Sequence, residues 1–315
     1  MDLSSKSASS VSAASRSSTA TLSQLSEEIA KASQFLQHRA KRTQRVRKLS
    51  HHYQLKTLIG EGAFSVVYLT SDLEACKIVP LKMPYHTKTQ EHERHWMHLQ
   101  NEISIHETLN HPNIVKFHRA IQGKLNLYVF LDYCSGGTLQ CEFRRLGSFS
   151  ESVTAIYLHQ LIQALKYLHL ERGIVHRDLK LANIFLSHDK NHIRLADFGL
   201  ALELSELDDN LRSGVSGTPN YLAPEVVREA QYSISADIWS FGVILFLMLC
   251  GRVPFKGRTT DQTYEKIECG EFSFKPSEEE RLSLESQDLI QIILQVDPLA
   301  RPSWDTIERH AFFHR

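Results

Sequence analysis

The segment His176-Arg177-Asp178-Leu179-Lys180-Leu181-Ala182-Asn183 puts an acid, a base two residues on and an amide five residues on into one loop. Nineteen residues after Asp178 comes Asp197-Phe198-Gly199. Phosphoryl transfer needs these types: an acid to orient a hydroxyl, an amide and a carboxylate for Mg²⁺, and a lysine for charge on the moving phosphate. Upstream, Gly60-Glu61-Gly62-Ala63-Phe64-Ser65-Val66-Val67 joins two apolar runs. Glycines at this spacing let a backbone approach phosphates closely, because no Cβ intervenes. The loop runs strand to strand, which argues against a dinucleotide fold or a Walker loop. Lys77 lies between apolar neighbours in Ala75-Cys76-Lys77-Ile78-Val79, and Glu102 on a following helix is an acid that could meet it. Taken alone, the pair reads as a solvated strand lysine and a solvent-facing helical glutamate.

Several elements must carry these residues. Tyr53–Leu58, Ser65–Ser71 and Leu73–Val79 are apolar or β-branched runs between glycine and polar turns, and so strands. Pro84–His98 is polar and reads as an extended loop. Gln100–Leu109 predicts a short helix, Leu125–Tyr133 a strongly apolar strand, and His192–Leu195 a strand ahead of Asp197. Ser150–Leu170 predicts a long amphipathic helix, with Val153, Tyr157, Leu161, Leu165 and Leu168 on one face, Ser150 as its cap and Gly173 as its stop. Asp237–Leu249 and Gln287–Val296 predict two more helices. The class is α+β in two lobes: strand-rich 53–132, a hinge at 132–136, and helical 137–313.

The whole chain carries 36 Lys+Arg against 36 Asp+Glu. This balance hides a split: residues 1–50 have nine basic and three acidic side chains, a net +6, and the rest has the compensating −6. Residues 1–34 hold twelve serines and few large apolar side chains, which predicts disorder up to about residue 50. His38–Lys48 carries six Lys/Arg. It reads as a solvated linker, or as a segment for an acidic partner, nuclear import or nucleic acid. Five cysteines without a CxxC pair support neither a disulfide framework nor a zinc site, and fit a reducing compartment. The longest apolar run, Phe241–Cys250, is about half the roughly 20 residues a membrane span requires, so it reads as a buried helix. No membrane association is expected.

From Tyr53 to Phe313 the chain resembles a eukaryotic protein kinase. The signatures appear in order: the Gly-rich loop, Lys77, Glu102, His176-Arg177-Asp178, Asp197-Phe198-Gly199, Ala223-Pro224-Glu225, Asp237-Ile238-Trp239-Ser240-Phe241-Gly242 and Arg301. The resemblance implies a two-lobed kinase fold with ATP and Mg²⁺. It implies that Ile59, Gly60, Glu61 and Gly62 cover the phosphates and that Lys77, paired with Glu102, holds them. It also implies that Val67, Ala75 and Phe185 enclose the adenine, with Leu131 at the gatekeeper position and Asp132 and Cys134 in the hinge. Asp178 would orient the substrate hydroxyl, Lys180 would neutralise the γ-phosphate, and Asn183 and Asp197 would hold Mg²⁺. Glu225 and Arg301 would tie the activation segment down, a structural role. Lys180 and Thr218 match the serine/threonine type. Cys76–Pro80, Asn101–His106, Arg177–Leu186 and Gly217–Tyr221 are similar to polo-like kinases, which implies protein substrates and a cell-cycle role. It further implies an intracellular location in cytoplasm or nucleus, with centrosome or centriole by analogy. Members of that family also carry C-terminal polo boxes, and residues 53–313 match only their kinase portion.

Several features depart from the general kinase pattern. Ser65 replaces the third glycine of the loop, and Lys77 and Glu102 are 25 residues apart, a long spacing. Thr138 and Ala182 stand where arginine-directed kinases carry acids, so selection of arginine at −3 is not expected. Gly214 occupies the place of the usual phosphorylated threonine, while Arg177, its partner, is present. Ser213 is the expected phosphate acceptor. Phosphosite mapping is expected to find phosphate on Ser213, and Ser213→Ala to lower activity; a fully dephosphorylated enzyme of undiminished activity would refute this.

Overall fold

The computed structural model describes residues 48–50, 53–61, 65–70, 74–80, 90–123, 126–206, 217–228 and 233–314. The chain divides into two units, one of Met1–Tyr85 with His118–Tyr133, the other of His86–Phe117 with Cys134–Arg315. The first is a six-stranded sheet of β1 (Lys48–Ser50), β2 (Tyr53–Glu61), β3 (Val66–Thr70), β4 (Glu74–Pro80), β5 (Phe117–Gln122) and β6 (Asn126–Asp132), in the order β1-β2-β3-β4-β6-β5. Its core is small: Leu55, Tyr68, Cys76 and Phe130. The Arg119 guanidinium lies 4.3 Å over the Phe130 ring and forks onto Glu74 at 2.8 and 3.4 Å. Burial pushes the Cys76 thiol up to about 12.

Three elements differ from the sequence reading. Lys48–Ser50, which the charge pattern assigned to the disordered arm, pair antiparallel with β2; the rest of the arm lies outside the described residues. Phe117–Gln122 forms the edge strand β5 without apolar alternation, because an edge needs only one partner and its last three residues are exposed. The segment expected as a loop at Pro84–His98 becomes a helix from Gln90 on: α1 spans Gln90–His106. Residues 90–101 contain no glycine, proline or β-branched residue, and glutamate, glutamine, leucine and methionine favour helix.

The second unit adds α2 (Leu139–Leu146), α3 (Glu151–Lys166), α4 (Pro224–Val227), α5 (Ile234–Cys250), α6 (Thr260–Cys269), α7 (Pro276–Arg281), α8 (Leu284–Ile293) and α9 (Trp304–Glu308). Short ladders pair β7 (Ile174–Val175) with β10 (Leu202–Glu203), and β8 (Ile184–Leu186) with β9 (Ile193–Leu195). The axis is α5, buried from Ala236 to Leu249 and ended by Gly251 in the left-handed region (φ 73°). A helix apolar on all sides belongs in the middle of a core. Each fully buried leucine, isoleucine or phenylalanine there contributes about 1.5–3 kcal/mol relative to exposure. The Ser150 hydroxyl caps α3 by accepting from Val153 N–H, and its Tyr157, Leu158, Leu161, Ile162 and Leu165 are buried. One wider turn, Tyr167–Glu171, ends the helix before Gly173 (φ 63°). All five cysteines are free, and among the described residues no helix is long and apolar enough to cross a membrane.

A buried ion pair locks α4 to the start of α5 and to the loop before α9. Arg301 forks onto Glu225 with two bonds of 2.7 Å, the two side chains being 0% and 9% exposed. Its remaining donors reach the carbonyls of Ser235, Gln295 and Val296, so all five guanidinium N–H groups are used. The guanidinium also sits 5.0 Å over the Trp239 ring. Arg301→Met, which leaves the Glu225 charge buried alone, is expected to cost about 3–5 kcal/mol in urea unfolding. Adding Glu225→Leu should restore most of that loss; a single variant as stable as the parent would contradict this account.

Candidate active site

The loop that follows β7 is hung from α5. The Asp237 carboxylate, 1% exposed, accepts the His176 N–H at 2.7 Å and the Arg177 N–H at 3.0 Å. Burial alone would raise this carboxyl's pKa. The bonds from His169 and the loop backbone overcome that and hold it below the usual carboxylate range. These bonds offset the strain at Arg177, whose φ is 67°, a conformation costing about 1–3 kcal/mol for a non-glycine residue. The His176 ring is fixed on both sides. Its Nδ1 accepts the Asp178 N–H at 3.3 Å, so Nε2 carries the proton and donates to Ala196 O at 3.1 Å.

That ring packs on Phe198, centroids 5.2 Å apart, and Phe198 packs on His106 of α1 at 4.8 Å. His106 Nε2–H donates to Val115 O at 2.6 Å. Asn101, one turn earlier on α1, donates to Ala201 O at 2.6 Å. The helix is thus bound at Phe198 within the Asp197-Phe198-Gly199 turn and at Ala201 just after it.

Asp178 lies in a small polar cluster. Thr218 Oγ1 donates to its Oδ1 at 2.8 Å, and Lys180 Nζ bonds its Oδ2 and reaches Thr218 Oγ1 at 3.2 Å. Asn183 Nδ2 donates to Asp178 O at 2.9 Å and to Oδ2 at 3.2 Å. Gly217 (φ 118°) leads into Thr218; a Cβ there would come within 3.0 Å of Arg177 O. The ladder Ile184↔Leu195, with the Ala196 N–H on Asn183 O at 2.9 Å, brings Asp197 beside Asn183 along the chain of β8 and β9. Asp197 is exposed with φ 70°. With its N–H₂ group committed to Asp178, Asn183 turns Oδ1 away from that carboxylate. An amide oxygen and a carboxylate are the hard donors that Mg²⁺ prefers, so the residues fit such an ion.

The remaining candidates fall on both units. Ile59, exposed, precedes Gly60 and Glu61 at the end of β2, where Gly60 faces Val67 and Glu61 faces Val66. On β4, Lys77 stands between Val67 of β3 and Val129 of β6, and Ala75 stands opposite Leu131. The Asp132 carboxylate accepts from His118 Nε2 at 2.8 Å. In the second unit Glu102 is half-buried on α1, Cys134 is half-buried, and Phe185 bridges to Thr138. Gly62 and Ser213 lie outside the described residues. Three residues have roles that the sequence reading did not give them, Gly136 entering it only as the end of the hinge. His169 and Trp304 continue the bonds of Asp237, and Gly136 runs so close to β8 that a Cβ would stand 2.1 Å from Ser187 O. The signal for Gly136 was its place in Ser-Gly-Gly; for His169, a polar residue on the apolar face of its helix.

Residues 53–313 match the family model described as Protein kinase domain. Among curated proteins, the chain is 38% identical over 264 residues to "Probable serine/threonine-protein kinase CCRP1" of Zea mays, covering 82% of this chain and 41% of that protein. It is 36% identical over 275 residues to "Probable cell cycle serine/threonine-protein kinase CDC5 homolog" of Encephalitozoon cuniculi, covering 85% and 56%. To "Serine/threonine-protein kinase polo" of Drosophila melanogaster it is 37% identical over 256 residues, covering 80% and 42%. The chain therefore spans about two fifths to just over half the length of these relatives. The order of motifs, the matched domain and these relatives agree: the chain belongs to the protein kinase family, and the relatives it matches are named serine/threonine kinases, among them the polo and CDC5 types.

Proposed function

We propose that the chain is an ATP- and Mg²⁺-dependent serine/threonine protein kinase of the polo type, moving the γ-phosphate of ATP to protein hydroxyls in a cell-cycle role. The observation that carries this reading is the cluster of Asp178 with Thr218, Lys180 and Asn183, all bonded to one carboxylate. Asp178 orients the incoming hydroxyl and takes its proton. Lys180 stands beside that carboxylate with a charge for the transferred phosphate, and Thr218 ties it to the segment where a substrate chain would lie. Asn183 and Asp197 would hold Mg²⁺, which supplies neutralisation of phosphate charge. The resemblance supports Lys77 with Glu102 for the α/β-phosphates. It also supports Ile59, Gly60, Glu61 and Gly62 over them, and Val67, Ala75, Leu131, Asp132, Cys134 and Phe185 for adenine. Ser213 is proposed as the activating phosphosite, and the basic arm as a contact for an acidic or nuclear-import partner. The relatives' names support a place inside the cell.

Two measurements test this reading. Asp197→Asn is expected to lower Mg²⁺·ATP-dependent transfer to casein by about 100-fold or more; unchanged transfer would sink the assignment. Thr218→Ala, which removes a hydrogen bond to a charged group, should lower kcat about 10- to 100-fold. Thr218→Ser keeps the hydroxyl and should stay near the parent rate.

A further inference from the structure

Two tryptophans of the second unit are buried, and their indole N–H groups differ. That of Trp239 has no hydrogen-bond partner. That of Trp304, at the start of α9 and 2% exposed, donates to His169 Nδ1 at 2.7 Å. A ring nitrogen that accepts carries no proton, so the proton of His169 is on Nε2. Nε2–H donates to Asp237 Oδ2 at 2.8 Å, and this oxygen also receives the His176 N–H. The His169 side chain is 0% exposed, so no water competes for either nitrogen. Phe241 meets the Trp304 ring edge-on at 5.5 Å, and Lys166 of α3 bridges Asp305 (2.7 Å) and Glu308 (2.8 Å) on α9. The indole therefore has one orientation.

We propose that Trp304 is a positioning residue for the catalytic loop: its N–H holds the ring of His169 in the one orientation in which Nε2–H completes the hydrogen-bond shell of Asp237, the carboxylate from which His176 and Arg177 hang. Without the indole donor, Nδ1 is a buried acceptor with no partner. The ring is then held at Nε2 alone, and a turn that brings Nδ1 to another donor takes the Nε2–H from Asp237. Asp237 is left with the two backbone donors alone, and the bonds that offset the strained φ of Arg177 rest on a less firmly held carboxylate. The effect reaches Asp178 through the backbone, one residue on, with no contact between Trp304 and any reacting group.

The test uses the full chain with two replacements: Trp304→Phe, and the Trp304 indole exchanged for benzothiophene, which keeps the ring's size and puts sulfur in place of N–H. Hydrogen exchange at the His176 and Arg177 amides is read beside steady-state kinetics. The expected result, in both variants, is amide exchange faster by about 10-fold and kcat lower by about 10-fold, with KM for ATP within about 2-fold of the parent. If Trp304→Phe fails to fold, the isosteric replacement carries the test. Unchanged exchange, or faster exchange with unchanged kcat, overturns the proposal even where thermal stability falls. The kinetic arm rests on the kinase reading. A parent chain that transfers no phosphate would sink that reading, and exchange alone would then decide the positioning role.

Discussion

A carboxylate taken out of water has to be met by donors, and in this molecule that requirement organises catalysis. Asp237 is nearly inaccessible, and its oxygens are met by the backbone of His176 and Arg177 and by His169. The cost of burying the charge is the force that keeps the loop in place. An apolar residue at 237 would leave two loop N–H groups without acceptors and a histidine without its partner. The polar cluster around Asp178 is a second layer, held by Thr218 and Asn183, whose orientation depends on the first.

The two units solve the problem of rigidity differently. In the helical unit, α5 supplies a dense apolar axis, and the polar bonds that matter are inserted into it at few points: Asp237 near its first turn, Ser240 onto Tyr221 O, and Arg301 onto Ser235 O. The sheet unit has a single apolar cluster of four buried residues among the described residues. It relies on strand pairing and on Arg119, which serves Glu74 and Phe130 together. A small core of this kind gives less resistance to local opening than the α5 axis does.

Much of the site was legible because its chemistry is concentrated in short segments. The loop from His176 to Asn183 and the Asp197-Phe198-Gly199 turn carry residue types whose spacing is meaningful without a structure. The α5 helix was equally plain, since an unbroken apolar run has few other uses. The errors came where local pattern was weak or tertiary context decided. Gln90–Gln100 is polar enough to pass for a loop, although its residues favour helix. Phe117–Gln122 becomes a strand because β6 offers it an edge, not because its own sequence alternates. The roles of His169 and Gly136 were only faintly signalled, and that of Trp304 not at all. Each depends on a partner far away in the chain: Asp237, His169 and Ser187 respectively.

Those separations bear on how the site comes into being. The two amides of the catalytic loop wait for a carboxylate about 60 residues further on, and His169 takes its indole donor from a residue 135 positions later. On a ribosome, the loop is made long before the groups that shape it. A nascent chain that has just emerged past Asn183 holds every residue of the polar loop and none of its geometry. Competence therefore arrives late, once α5 and then α9 have left the exit tunnel and closed over α3. Until then the segment is one more stretch of unfolded polypeptide.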